Sequence, residues 1–204
     1  MTKLKSKLTT IILVGAMTVH GLAAEPSKGK QLLRSETSPL GTSIVEYYSV
    51  GAENNEIWLH PQGARLSAAR LYRYKRDASV LFAPNENWLA LNDYVGSNVS
   101  EVLLFIRNKD GKYLAMSQAN VFDNVMQLSR KENSPAKKLS FGTLHMEGIR
   151  WAANSNFLLI GVSALADSGE RIDSWLCLFD VQRLTATSDL SLMNRGVFVP
   201  RRAP

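Results

Sequence analysis

From residue 43 onward the apolar residues come in short runs, at 43–48, 56–60, 69–74, 79–82, 88–92, 101–106, 112–116, 139–144, 148–151, 157–162 and 175–181. Gly, Asn, Asp, Pro and Ser separate them. Runs of strand length punctuated by turn formers predict antiparallel hairpins. The clearest turn is Asn108-Lys109-Asp110-Gly111, where Asp-Gly can supply a positive φ. One stretch breaks the pattern: Val121, Phe122, Val125, Met126 and Leu128 fall on one face of a helix over 120–131. Asn120 can cap its start, Arg130 and Lys131 suit its end, and Pro135 prevents its continuation. A weaker helical pattern falls at 184–194. Residues 25–41 are polar and interrupted by Pro26 and Pro39, and read as a flexible mature N-terminal arm. That leaves 42–200 as a single β-rich domain.

Part of this domain is repeated. Phe82-Ala-Pro-Asn-Glu-Asn-Trp-Leu-Ala-Leu91 aligns without a gap on Trp151-Ala-Ala-Asn-Ser-Asn-Phe-Leu-Leu-Ile160. After a polar loop, longer in the second copy, Glu101-Val-Leu-Leu-Phe105 matches Trp175-Leu-Cys-Leu-Phe179. Each copy reads strand, Asn-rich turn, strand, loop, strand, which describes a meander at about 79–107 and again at about 148–181. These residues resemble the WD-like β-propeller repeat. Ala83-Pro84-Asn85-Glu86-Asn87 stands where that family has Ser-Pro-Asp-Gly-Lys, and Ala152-Ala153-Asn154-Ser155-Asn156 is a more degenerate version. The resemblance implies blade-like, four-stranded meanders. A closed ring takes at least four blades of roughly 40 residues, and the arm and the helix use up length. The expected fold is therefore all-β, mainly antiparallel meanders with one short helix, in an incomplete propeller-like or sandwich arrangement. A small closed β-propeller is the alternative.

The first 24 residues fall outside that domain. Lys3, Lys5 and Lys7 precede an apolar run from Leu8 to Val19, and Gly21, Ala23 and Ala24 follow it. This is the layout of a secretory signal peptide over 1–24, cut after Ala23 or Ala24. The run is too short for a comfortable membrane span, so no integral membrane segment is expected after cleavage. Removing the three lysines lowers the net charge from +6 to +3. So small a surplus gives no reason to expect a nucleic-acid partner. Cys177 is the only cysteine, so an internal disulfide is impossible and packing must supply the stability. Export without disulfides leans toward a bacterial envelope, either periplasmic or extracellular. At 45% hydrophobic and 21% charged residues, the chain is neither disordered nor a polytopic membrane protein.

Chemistry is sparse. His60 and His145, the histidines left after cleavage, share no local spacing and belong to no metal motif. Strand alternation in Trp175–Phe179 puts Trp175, Cys177 and Phe179 on one face and two leucines on the other, so Cys177 reads as a buried small hydrophobe. Phosphate-binding loops, dinucleotide fingerprints and nucleophile elbows are missing. No cofactor, metal or catalytic residue is assigned. Trp58, Trp88, Trp151 and Trp175 read as core. The loops are the better candidates. Asp93, Tyr94 and Asn98 in one copy occupy the place of Asp167, Glu170, Arg171 and Asp173 in the other. Side by side they would form a polar rim for an envelope protein, a peptide or a glycan. The reading is an exported, non-enzymatic binding or interaction module. The alternative is a hydrolase of cell-wall or extracellular polymer using a carboxylate pair, drawn from Asp93, Glu101, Asp167, Glu170, Asp173 and Asp180.

Overall fold

The computed structural model describes residues 29–63, 67–132 and 140–194. The segment read as a signal peptide and the start of the arm lie outside the described residues. Twelve strands are seen among them, with one α-helix. They form three consecutive four-stranded antiparallel meanders. The first is β1 (Gln31–Thr37), β2 (Ser43–Ser49), β3 (Asn55–Pro61) and β4 (Ala69–Tyr74). The second is β5 (Asp77–Phe82), β6 (Trp88–Tyr94), β7 (Val99–Arg107) and β8 (Tyr113–Ala115). Helix α1 (Val121–Glu132) follows. The third is β9 (Phe141–Trp151), β10 (Phe157–Ala166), β11 (Arg171–Asp180) and β12 (Thr185–Thr187). A short parallel pairing, Val99 with Leu144 and Ser100 with His145, joins the second and third into one sheet.

The turn that the repeat predicts is built the same way three times. The β5–β6 turn has Glu86 N–H donating to Ala83 O (2.8 Å) and Ala83 N–H to Trp88 O (2.9 Å). In the β9–β10 turn Ser155 and Ala152 donate equivalently, to Ala152 O and Phe157 O. The β1–β2 turn repeats the pattern, with Gly41 to Ser38 O and Ser38 to Ser43 O. The fourth residue of each five-residue motif has positive φ: Gly41 at 70°, Glu86 at 53° and Ser155 at 61°. Register agrees as well, since Thr37 pairs with Ile44, Phe82 with Leu89, and Trp151 with Leu158. Ser38-Pro39-Leu40-Gly41-Thr42 is thus a third copy. The segment read as a flexible arm holds β1 and this turn. Pro39 does not break structure there; it occupies the turn position at which a fixed φ is favoured.

The three turns are also bonded to one another. Leu40 N–H donates to Glu86 Oε1 (2.6 Å), and Asn85 N–H to Ser155 Oγ (3.0 Å). Leu40 and Asn85 occupy the same place in their turns, as do Glu86 and Ser155. In each case the positive-φ residue of one meander reaches back to the amide of the meander before it. Behind the turns the sheets pack face to face. Val45, Tyr47, Ile57 and Leu59 of the first meander meet Leu89, Leu91 and Phe105 of the second. The other face of the second, with Trp88, Ala90, Val102 and Leu104, meets Leu158, Ile160, Val162 and Cys177 of the third. Helix α1 adds Val121, Val125 and Met126 to that cluster, and Asn120 caps it through Oδ1, which accepts from Asp123 N–H at 3.2 Å.

The architecture is all-β and propeller-like, in three blades rather than two, with no closed barrel. No apolar cluster joins the first meander to the third among the described residues. Smaller differences have local causes. Residues 141–144 and 148–151, expected in separate runs, belong to one strand, β9, whose irregularity near Ile149 interrupts the alternation. The pattern at 184–194 resolves into β12 and a 3-10 turn, Leu190–Asn194. Cys177 is buried, as expected, and burial pushes its thiol up to about 12. Leu176, on the opposite face of β11, is exposed.

Candidate functional site

The strand edges at the border of the first two blades shape the site. β4 is the last strand of its sheet and pairs only with β3 among the described residues. Its register slips between Tyr72, opposite Ile57, and Arg70, opposite Trp58. Leu71 is the extra residue of this bulge, and a bulge re-aims a side chain out of the ladder. Across from it, β7 is covered unevenly. β8 pairs with Phe105–Arg107, Met116 N–H donates to Leu104 O (2.8 Å), and β9 pairs with Val99 and Ser100. Among the described residues nothing ladders onto Glu101, Val102 and Leu103 on this side.

A cleft of ≈ 380 Å³ lies along that stretch. Leu71 and Tyr72 form one wall, Glu101 to Phe105 the floor, and Met116, Val121 and Phe122 part of the other wall. A second cavity of ≈ 220 Å³, between β4 and the β7–β8 hairpin, is lined by Leu59, Arg70, Lys112 and Tyr113. Leu71 lines both, so the two are neighbours along β4. Together they make a groove, mostly apolar, that follows two strand edges.

One end of the groove is acidic. Asp93 of β6 and Glu101 of β7 are directly opposed in the ladder and so share the face toward the first blade. Tyr72 OH donates to Asp93 Oδ2 at 2.7 Å. Asp93 Oδ1 is buried with no hydrogen-bond partner. Burial raises the Asp93 carboxyl above its ordinary range, against the Tyr72 hydrogen bond that lowers it. Burial, and then the charge of Asp93, raise Glu101. Burial and the bond to Asp93 push the Tyr72 hydroxyl up. No lysine, arginine or histidine forms an ion pair with either acid among the described residues.

The rim residues are placed as follows. Asp93 is not on the rim: its side chain points inward, 5% exposed. Tyr94 OH donates to Glu147 Oε1 (3.0 Å), and burial together with that bond raises it to about 12. Asn98 O accepts from Leu144 N–H (2.7 Å), and Asp167 N–H donates to Ser140 O (3.1 Å), so both abut the start of β9. Arg171 and Asp173 pair with each other at 3.2 Å, both largely exposed, and Glu170 is bonded by the nearby Ser168 hydroxyl. Asn98 and Asp167 are thus brought near one strand, while Arg171 and Asp173 stand apart as an exposed pair. His60 Nε2 lies 2.7 Å from Glu46 Oε2, and Ser100 Oγ is 3.4 Å from His145 Nδ1. Leu71 and Tyr72 escaped notice in the sequence because a bulge has no residue signature there. Glu101 was visible only as one of several carboxylates.

No family model matches the chain, the WD-like repeat included, and no curated protein matches it. Among solved structures the chain is similar to TolB from Acinetobacter baumannii, at 11% identity and a TM-score of 0.42. The match covers 78% of this chain and 32% of that one, so the chain spans about a third of that protein's length. The likeness assigns no residue a role.

Proposed function

We propose that the protein is a binding module whose groove between the first and second blades receives an extended segment of a partner protein or peptide. The observation that carries this reading is the pair of cavities sharing Leu71, the first of them along residues 101–103 of β7, whose outer edge no strand pairs with among the described residues. An extended chain advances about 3.3 Å per residue, so roughly four or five residues would follow the Ala69–Tyr72 stretch of β4 that lines the two cavities. Side chains alternating toward the walls would find Leu103 and Phe122 in one cavity and Leu59 and Tyr113 in the other. Apolar walls with a few placed polar groups are typical of such sites. Export to a bacterial envelope, from the N-terminal layout, would make an envelope protein the natural partner; no helix among the described residues is long and apolar enough to cross a membrane.

The hydrolase alternative has one observation in its favour, the raised Asp93 and Glu101 pair. Only Glu101 of the two lines the cleft, however. A proton-transfer pair needs both groups within reach of the reacting bond.

The test is fluorescence anisotropy with an array of labelled, acetylated pentapeptides of extended, apolar–polar alternating sequence. A subset is expected to bind, and Leu71→Asp to weaken it at least tenfold; because Leu71 is half-buried against the apolar cluster between the first two blades, the melting temperature is measured alongside. Binding that survives both Leu71→Asp and Phe122→Asp would overturn the groove.

A further inference from the structure

Among the described residues the acidic end of the groove has no counter-charge. Asp93 and Glu101 sit opposite each other across the β6–β7 ladder. One oxygen of Asp93 is held by Tyr72 and the other is buried without a partner. A buried acceptor left empty is destabilising, more so when charged, and two carboxylates side by side oppose each other's ionisation. Tyr72 donates its one hydrogen to Asp93, and the apolar residues Leu71 and Leu103 line the cleft with Glu101. Elsewhere in the protein a buried carboxylate is answered within the chain: Glu56 by Lys30, Arg70 and Arg73, and Glu86 by Leu40, Thr42 and Arg107. Only at the cleft wall does the answering cation fail to appear among the described residues.

Resting on the groove reading, we infer that this end selects a basic side chain of the bound segment, a lysine ammonium or arginine guanidinium that pairs with Glu101 at the cleft wall. The apolar walls hold the stem of such a side chain while its charged tip meets the carboxylate. The ligand class is then an extended peptide with one Lys or Arg amid apolar residues. Acidic or uniformly apolar peptides lack the charge that fits. A charge-assisted bond in a recessed site is worth about 1.5–3 kcal/mol, which corresponds to roughly ten- to a hundredfold in affinity.

Two probes separate this inference from the groove itself. The first is a pair of pentapeptides, identical except for lysine or norleucine at one position, titrated by anisotropy into the protein and its Glu101→Gln and Asp93→Asn variants. The second is n-butylammonium, followed through the carboxyl carbon resonances of Asp93 and Glu101. The lysine peptide should bind at least tenfold more tightly than the norleucine peptide. Glu101→Gln should erase that difference, and n-butylammonium should move the Glu101 resonance. Equal affinity of the two peptides overturns the inference and leaves the groove standing. A butylammonium response with no peptide binding leaves the cation site and overturns the groove. No response to either probe overturns both. Asp93→Asn, which keeps an acceptor for Tyr72, provides the folded control should Glu101→Gln lose stability.

Discussion

Glu86 stands in a conformation that an L-residue occupies only at a cost, φ 53°, and its carboxylate is wholly enclosed. Both features follow from its task. The backbone turns the side chain back toward the first blade, where Leu40 N–H and the Thr42 hydroxyl donate to it and Arg107 lies 3.8 Å away. Burial acts to raise its carboxyl, but the bonds from Thr42, Ser38 and Leu40 and the Arg107 charge leave it lowered. Glu86→Ala should therefore cost about 2–4 kcal/mol in denaturant unfolding, because it strands several buried donors. Glu86→Gly relieves the backbone yet should still lose most of that stability, and a loss confined to Glu86→Ala would point to strain instead. Asp93 behaves in the opposite sense. Its folded carboxyl is raised, so the native state holds that proton more tightly than the unfolded chain does. Below the unfolded carboxylate range the site carries no penalty. As pH rises from that range through the folded value, stability is lost, and the loss persists at neutral pH. Asp93→Asn is expected to raise the melting temperature at pH 7 and to leave it unchanged near pH 3, as calorimetry would read.

At the scale of elements, the β1–β2 turn decides whether the first blade exists. Leu40 and Gly41 supply its amide and its positive φ, and β1 is otherwise weakly held: every residue of it is exposed. What fixes it is a long polar side chain, Arg34, lying over the Tyr47 ring at 3.9 Å and donating to Ala78 O. Gly41→Val should thus detach β1, speeding amide exchange in Gln31–Thr37 while the Leu89–Leu91 core stays protected. If β1 and that core were lost together, the first blade would be one cooperative unit. The same facts explain what the sequence could convey. Strands with a buried face, such as β6 and β10, announce themselves by their apolar runs, and α1 does so by its spacing and by Asn120. β1 buries nothing, so no alternation marks it, and Pro39 looks like an interruption until its turn position is known. Yet Ser38-Pro39-Leu40-Gly41-Thr42 is closer to Ser-Pro-Asp-Gly-Lys than either recognised copy. For the site, strand parity alone places Asp93 on the face of Leu89 and Leu91, away from the rim. The groove needs the bulge at Leu71 and the gap between β8 and β9, and these depend on how separate blades meet.

The whole molecule is a stack with two unlike ends. The outer face of the first blade is polar: Glu56 gathers Lys30, Trp58 (2.8 Å), Arg70 and Arg73 (each 3.2 Å), beside the Glu46–His60 pair. The far face of the third is apolar and partly covered, with Phe157, Leu159 and Leu178 lying beneath Leu192 and Met193. In the relay of turns, Gly41 has no side chain with which to reach a preceding blade. Among the described residues the two outer faces thus differ as the outward faces of capping repeats differ from the interior of a solenoid. Burial works to raise Glu56, but bonds from Lys30 and Trp58 and the Lys30 charge prevail and hold it at about 2. Its contribution is present above the unfolded carboxylate value and is lost as pH falls toward 2. Glu56→Gln, leaving Lys30 enclosed without its partner, should cost about 3 kcal/mol at pH 7 and little near pH 2, measured by urea unfolding.

The proposed binding site lies between blades one and two, and hydrogen–deuterium exchange tests that proposal most directly. With a bound lysine-containing pentapeptide, the account predicts slowed exchange at Glu101–Leu104 and Arg70–Tyr72, with residues 95–98 and 167–173 unchanged. Protection confined to 95–98 and 167–173, with β4 and β7 unaffected, would contradict it.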